Sequence, residues 1–247
     1  MSVKPNSAMI THEQLQISSF KRNRVWMMTF ADVFTALLTF FVLIMTISEM
    51  ETIPPKRAYQ KIMTGLHNEV RDIKHRDSLA WMLVENTYAK GIRITIDSEL
   101  FATAPLFAPA RADLNPRYFP YLNELSRVLD ELKLDEINQR YERWVKMIEQ
   151  AGFEMTFTMS VEGHTDAIPL ASGARYRDNI ELSTHRAFEL MQYLQARVDL
   201  EPKVYSMAGY GSFHPITDNP NDAENRRIEL YLVPQMVDPI PLLESEL

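Results

Sequence analysis

The feature that most constrains this sequence is a long apolar run, WMMTFADVFTALLTFFVLIMTI, which contains a single charged residue, Asp32. As an α-helix, residues 25–47 would be about 34 Å long at ~1.5 Å per residue, which is enough to cross the hydrocarbon of a bilayer. The run is too long for the ~7–15-residue apolar core of a signal peptide, and no small-x-small cleavage site follows it. We therefore predict an uncleaved transmembrane helix.

Charge on either side of the run predicts its orientation. Lys21, Arg22 and Arg24 precede it, and no base follows until Lys56. Because basic flanks stay in the cytoplasm, the N-terminus should be cytoplasmic and everything after the span should lie outside, which in a bacterium is the periplasm. A net charge of −7 argues against a nucleic-acid partner, and the absence of cysteine excludes disulfides and zinc–thiolate sites.

Helical spacing surrounds Asp32 with small and hydroxyl-bearing side chains. At 100° per residue its arc also carries Thr29, Thr35, Ala36, Thr39, Leu43 and Thr46. An aspartate near mid-bilayer costs ~2.5–3.5 kcal/mol on insertion scales, so by default we interpret it as functional. A carboxylate there can bind H⁺ or Na⁺, become neutral and tolerate the low dielectric. The alternative is that Asp32 lies near the interface or bonds a neighbouring helix.

A second helical pattern follows the span. The IPPK motif ending at Lys56 should break the first helix, because proline lacks an amide and restricts the residue before it. Apolar residues then recur every three or four positions from Tyr59 to Ile73, and the pattern continues through Leu83 to the Lys90–Gly91 pair. Such a helix could lie on the bilayer, pair with a second copy or cover the next domain.

From Gly91 onward the pattern alternates between strands and helices. GIRITID, TFTMSVEG, KVYSMAG and RRIELYLV read as strands. Helices are expected at 116–134, at an amphipathic insert covering 135–150, and at 183–197 with Ser183 as N-cap. This order predicts an α+β protein whose soluble part is an α/β sandwich with a mixed sheet.

The strongest chemical signal outside the span lies between the second strand and the last helix. Asp166 ends the strand motif GHTD, and Arg186 lies in the first turn of the helix that the motif ELSTHRA opens. Together a carboxylate and a guanidinium can hold a zwitterion, although a plain salt bridge between them is the simpler alternative. We expect no metal at His164, because no HxH or HxxxH spacing occurs, and Ser183 lacks a nucleophile elbow. No enzymatic activity is expected.

Several motifs resemble one known family. GHTD, ASG, DN-x-ELS-x-x-RA, GYGS and NRRIEL follow in the order found in OmpA-like peptidoglycan-binding domains of the MotB type. Independently, W-x-x-TFAD-x-x-T-x-L-L-x-FFVL followed by SEM resembles the span of MotB/PomB stator B subunits, with a slight lean toward sodium-type members. The resemblance divides the chain into a cytoplasmic tail, a span, a plug and linker helix, an OmpA-like domain and a C-terminal tail, at residues 1–24, 25–47, 48–90, 91–234 and 235–247.

What the family does then supplies the functional expectations. By this resemblance the chain would be the B subunit of an ion-driven rotary motor in the bacterial inner membrane, dimeric within a ring of MotA/PomA-like A subunits. Asp32 would carry H⁺ or Na⁺, with Thr29, Thr35, Ala36 and Thr39 lining the path, and no other cofactor is expected. Residues implied to plug the ion path are Ile53, Tyr59, Ile62, Met63 and Leu66. Residues implied to bind the peptidoglycan stem peptide are Asp166, Arg186, Asn179, Leu182, Thr165 and Arg227.

Other functions remain open at the sequence level. The short tether and the unassigned helix at 135–150 depart from flagellar relatives, so a Zorya-type anti-phage motor is one alternative. A passive OmpA-like tether between membrane and cell wall is another. A TolR- or ExbD-like transducer would share the membrane aspartate but would not need the GHTD motif.

Overall fold

The computed structural model describes residues 7–97, 100 and 105–239, with side chains described for 26–47, 55–97, 100 and 105–239. The chain divides into two compact units, Met1–Ile53 and Pro54–Leu247. Helix α1 (Ser7–Arg76) runs through both prolines of the IPPK motif, so the predicted helix break is wrong at the level of secondary structure. A proline removes only its own amide bond and strains the turn before it. The boundary between the two units nevertheless falls at these prolines, between Ile53 and Pro54.

Within its described residues, the second unit contains five strands and four shorter α-helices in addition to the end of α1. They are β1 (Met82–Asn86), β2 (Ile92–Ile96), α2 (Phe119–Glu131), α3 (Ile137–Arg140), α4 (Glu142–Gln150), β3 (Glu154–Gly163), α5 (Asn179–Gln195), β4 (Tyr205–Gly209) and β5 (Ile228–Val237). The helix expected to continue through Leu83 is therefore wrong, since α1 ends at Arg76 and β1 follows. The helix was predicted because β1 has only five residues, and in so short a segment apolar residues at strand spacing and at helix spacing cannot be distinguished.

The strands form one mixed sheet in the order β1-β2-β5-β3-β4. Strands β3 and β4 are parallel, and the other neighbouring pairs are antiparallel. The parallel pair needs a crossover connection, and α5 supplies it. The structure thus confirms the predicted α+β fold with a mixed sheet.

One face of the sheet packs on helices. The end of α1, together with α2 and α5, buries apolar side chains against Ile92, Ile94, Met159, Val161 and Leu232. The other face carries the polar residues Arg93, Glu162, Glu229 and Tyr231, since side chains alternate along each strand. The result is the predicted two-layer sandwich, with a polar outer face.

The predicted insert at 135–150 forms α3 and α4 and packs on the end of α1. Val145 and Ile148 of α4 form a cluster with Ala58 and Ile62 of α1, all 5% exposed or less. The Tyr141 hydroxyl, just before α4, donates a 2.7 Å hydrogen bond to Glu69. The insert therefore anchors the segment that follows the span.

The last helix begins earlier than predicted. Asp178, not Ser183, is the N-cap of α5, because its carboxylate accepts the Glu181 amide at 2.8 Å while Glu181 accepts the Arg177 amide. This reciprocal pairing resembles a capping box, except that Glu181 accepts the amide of Arg177, the residue before the N-cap, and not the amide of the N-cap itself. Ser183 is instead fully buried inside the helix, where its hydroxyl accepts the Gly211 amide at 2.9 Å.

Candidate functional site

Asp166 lies just beyond β3, where the GHTD motif leaves the sheet. Its carboxylate is only 11% exposed and accepts a 2.7 Å hydrogen bond from Arg226, which precedes β5. Its second oxygen accepts the Ile168 amide at 3.3 Å. The predicted partner, Arg186, makes no ion pair with Asp166, so the simple salt bridge between these two residues is wrong. Arg226 takes that place.

Arg186 lies behind this pair in the first half of α5. It is 4% exposed, and its guanidinium donates to the backbone oxygens of Arg111 at 2.9 Å and Ala108 at 3.4 Å. The same group lies 5.2 Å from the centre of the Phe107 ring. Arg186 thus holds the 105–115 loop against α5, a contact for which the sequence carries no signal.

The remaining predicted residues shape the loop that presents Asp166. Asn179 donates to the backbone oxygens of Asp166 at 3.2 Å and Ile168 at 3.0 Å. Thr165 donates its amide to Gly211 at 2.8 Å, while its buried hydroxyl has no hydrogen-bond partner among the described residues. Leu182 packs in a small cluster with Ala112 and Tyr176. Asn179 and Thr165 therefore fix the loop, and Leu182 supports it from below.

Arg227 does not join this group. It donates a 2.7 Å hydrogen bond to Glu229 and a 3.2 Å hydrogen bond to the His214 backbone on the outer face of the sheet. Neighbouring residues entering a strand point to opposite faces, so Arg226 faces Asp166 while Arg227 faces away. The sequence could not distinguish the two arginines without the register of β5.

Charge in the site is unbalanced. Burial, aided by the Arg226 charge and opposed by Asp166, lowers the pKa of Arg186 to about 10, so it stays positive at neutral pH. The Asp166 carboxylate therefore has two guanidinium groups near it, that of Arg226, which it pairs with, and that of Arg186. A ligand that brings a carboxylate would neutralise the excess charge, and the Asp166 oxygen that accepts only a long bond could accept an ammonium.

A close packing contact holds this site together. A Cβ atom on Gly163, the last residue of β3, would lie 2.1 Å from the Ser183 backbone oxygen. Only glycine lets α5 approach the sheet this closely. The glycine of the GHTD motif therefore serves packing, and the residues after it serve the site.

The first unit contains the apolar segment Trp26–Ile47, with a mean hydropathy of 2.2. Trp26, Phe30 and Phe34 stack along one side of the helix with ring centres 5.7 and 6.3 Å apart. Thr35 donates its hydroxyl to the Ala31 and Asp32 backbone oxygens. This back-bonding satisfies the hydroxyl proton inside the helix and leaves the oxygen available to accept.

The other predicted residues of this segment follow the same pattern. Thr29 bonds the Trp26 oxygen, and Thr39 bonds the Thr35 oxygen. Ala36 and Asp32 lie on the same helix face by spacing, and both are exposed in the isolated chain. Within the described side chains, none hydrogen-bonds the Asp32 carboxylate.

Four of the five residues predicted to form a plug, all except Ile53, lie in the core of the second unit or pack against it. Ile62, Met63 and Leu66 are at most 3% exposed, and the Tyr59 hydroxyl donates to the Pro234 oxygen at 3.0 Å. The side chain of Ile53 lies outside the described residues. A plugging role for this segment stays a prediction, and its packing shows that it belongs to the sandwich.

The chain is similar to known proteins along both units. A sequence model of the family described as "Membrane MotB of proton-channel complex MotA/MotB" matches residues 13–69. The Bacillus subtilis protein YtxE is 25% identical over 235 residues, which cover 84% of this chain and 87% of YtxE. Motility protein B of the same organism is 25% identical over 183 residues, covering 73% of this chain but 59% of that protein.

A solved structure supports the fold of the second unit. The crystal structure of a MotB-like protein from Desulfovibrio vulgaris superimposes with a TM-score of 0.53 at 21% identity, covering 73% of this chain and 99% of the other. At 21% identity this similarity shows a shared fold and nothing about function. The relatives named here give the Zorya alternative no support. The matching segment at residues 13–69 and the related motility protein make this chain similar to the MotB-type stator B subunits.

Proposed function

We propose that this chain is the B subunit of an ion-driven stator complex, with Asp32 as the ion carrier and the second unit as its anchor to peptidoglycan. The observation that carries the proposal is the single carboxylate in the otherwise uncharged apolar segment Trp26–Ile47, which lies inside the 13–69 segment that matches membrane MotB of the proton-channel complex. A carboxylate at that depth is costly unless it serves ion transfer or pairing.

Asp32 would alternate between two states. Binding H⁺ or Na⁺ neutralises the carboxylate and lets it face apolar surroundings, whereas release makes it seek water or a partner charge. The membrane potential supplies ~2.3 kcal/mol per charge per 100 mV, which is enough to bias a conformational step. The oxygens of Thr35 and Thr39 remain acceptors and could contact a partly dehydrated Na⁺.

The partners follow from the family. A ring of MotA-like A subunits would surround the spans of two copies of this chain, with the N-terminus in the cytoplasm and the second unit in the periplasm. The exposed apolar side chains of Trp26–Ile47 support a surface covered by lipid and other helices. The stripe of small residues around Asp32 would face the A subunits.

For the wall site, Asp166 and Arg226 are the groups best placed to hold a stem peptide. The excess positive charge favours a ligand carboxylate at Arg226, whose side chain is 41% exposed, and Asp166 would take the ammonium of the same zwitterionic residue. Buried Arg186 would act by positioning the 105–115 loop. This assigns the carboxylate contact to a residue other than the predicted Arg186.

The motor role is tested by replacing Asp32 in the native host. Asp32→Asn should abolish the cellular function, while Asp32→Glu, which keeps an ionisable group, should retain part of it, with membrane insertion unchanged in both. If the asparagine variant supports full activity, the motor proposal is wrong and a passive tether remains.

The anchoring role needs a separate readout. Asp166→Ala should abolish pull-down of the full-length, detergent-solubilised chain by purified peptidoglycan, whereas Asp218→Ala, an exposed acid of a neighbouring loop, should not. If the Asp166 variant still binds as well as the wild-type chain, this site does not contact the wall. A TolR- or ExbD-like transducer would show no peptidoglycan binding in any variant.

A further inference from the structure

A second cluster of ionisable side chains lies on the outer face of the sheet, away from α5. Glu162, His164 and Glu229 are each 3% exposed, and each offers a ligand atom within 4.8 Å of those of the other two. They line a cavity of about 560 Å³ whose rim includes Tyr210 and His214. The stator proposal uses none of these side chains.

Strand geometry explains why they meet. Glu162 and His164 are two residues apart at the end of β3, so they share a face, and Glu229 of β5 is the direct cross-strand partner of Glu162. Two like charges directly opposite each other destabilise a sheet, and burying them adds to that cost. The pair therefore needs positive charge between or beside its members.

His164 points to what could stand there. Neither of its ring nitrogens has a hydrogen-bond partner among the described residues, although the side chain is almost completely buried. Its Nε2 atom lies 3.7 Å from Oε2 of Glu229. Buried polar atoms in proteins are almost always bonded to a protein group, a water or an ion, so this imidazole beside two carboxylates is able to bind a further group.

The neighbouring bases leave each ligand atom accessible. Arg93 and Arg227 both bind Oε1 of Glu229, so Oε2, the oxygen facing His164, accepts only the Tyr231 hydroxyl. Lys90 contacts Glu162 through one oxygen, and its side chain is 42% exposed. Rotation of Lys90 into solvent would free the Glu162 oxygen, while Arg93 and Arg227 would stay on Oε1 of Glu229 and offset its charge, so Glu162 would supply the negative charge for a cation.

We propose that Glu162, His164 and Glu229 bind a first-row divalent transition metal such as Zn²⁺. Imidazole and carboxylate together suit Zn²⁺ better than Ca²⁺ or Mg²⁺, which prefer oxygen ligands. With bonds of ~2.0–2.1 Å, tetrahedral ligand atoms lie roughly 3.3 Å apart, so the three side chains need to close by about an ångström. The sequence did not predict this site because Glu229 is distant from Glu162 and His164 along the chain, and no histidine or cysteine lies at ligand spacing from His164.

The ion would join β3 to β5 where the wall site begins. His164 is two residues before Asp166, and its amide donates to the Arg227 oxygen at 3.0 Å. A metal at His164 would therefore order the loop that carries Asp166. The metal site does not depend on the stator proposal, because its test measures metal and not cellular activity.

The test uses the full-length chain in detergent, free of affinity tags and stripped with EDTA. Isothermal titration with Zn²⁺ at pH 7.5 should show one equivalent per chain, and Co²⁺ should give visible absorption bands. His164→Asn should weaken Zn²⁺ binding by at least about tenfold, and His185→Asn, which removes an exposed histidine of α5, should leave it unchanged.

Lys90→Met distinguishes a metal site from a plain ion-pair network and covers the case in which His164→Asn fails to fold. In a metal site this variant should bind Zn²⁺ more tightly than the wild-type chain, and Zn²⁺ should restore the thermal stability lost with the lysine. The proposal is overturned if neither the wild-type chain nor Lys90→Met binds one equivalent. It is also overturned if binding survives His164→Asn but disappears in His185→Asn.

Discussion

Ile62→Ala tests whether the segment after the span is part of the sandwich. Ile62 is 0% exposed and packs with Ala58, Val145, Ile148 and Met155. The substitution removes three carbons, about 2.5 kcal/mol at ~0.8 kcal/mol each, and leaves a cavity that α4 can only partly fill. The expected loss in free energy of unfolding is about 3–4 kcal/mol, within the usual range for buried aliphatic truncations.

The assay is urea denaturation of the full-length chain in detergent, with tryptophan fluorescence as the signal that monitors unfolding. Trp144 lies beside the same cluster and reports on α4. Ile62→Val should cost about 1 kcal/mol, and Lys61→Ala, at the exposed neighbouring position, less than about 0.5 kcal/mol. If Ile62→Ala unfolds at the same urea concentration as Lys61→Ala, the packing of α1 against α4 is refuted, and a free plug segment becomes the better description.

Three further predictions concern the same unit. Gly65→Ala should destabilise it by about 1–3 kcal/mol in the same assay, because the new methyl group would lie 2.4–2.8 Å from the Tyr141 ring. Arg226→Gln should weaken binding of a purified stem peptide by about tenfold or more in titration calorimetry, because Asp166 loses its ion pair. Burial and the Arg227 charge lower the pKa of His164 to about 4. As the pH falls below the ordinary histidine pKa of about 6.5, the imidazole therefore takes up a proton in the unfolded chain before it does so in the folded chain. In EDTA, about 3 kcal/mol of the free energy of unfolding should be lost between pH 6.5 and pH 4.

Each of these has a result that would contradict it. Wild-type stability in Gly65→Ala would mean that Tyr141 moves away at no cost. Unchanged peptide affinity in Arg226→Gln would return the carboxylate contact to Arg186. For the pH dependence, the charged groups facing His164 are Arg227 and Glu229 at β5, Glu162 of β3, and His214 and Lys90. A His164→Gln variant that loses stability as steeply as the wild-type chain between pH 6.5 and 4 would assign the effect to other groups.

Local patterns predicted most of the secondary structure. Strands β2 to β5 have clear period-2 alternation, and α2 and α4 have apolar residues at helical spacing, so both types were found from the sequence. Strand β1 was missed because five residues hold too few alternations to outweigh the helical spacing on either side. The true N-cap of α5 did carry a signal, since Asp178 and Glu181 have the spacing of a capping box.

The candidate site was only partly predictable. The motif around GHTD identified Asp166, and the helix motif identified Asn179, because each lies within a few residues of a strand or helix end. The contact of Arg186 with the 105–115 loop joins residues about 75 positions apart, and the choice of Arg226 over Arg227 depends on which face each residue takes entering β5. No local pattern contains that information.

By itself the sequence determined that this protein has one apolar span with a lone carboxylate, followed by an α+β domain with a GHTD motif, because hydropathy and periodicity act over neighbouring residues. Only the tertiary structure decided that Arg226 pairs with Asp166, that α4 packs on the segment after the span, and that Glu162, His164 and Glu229 meet. These contacts depend on strand register and helix packing, which bring distant residues within a few ångströms of each other.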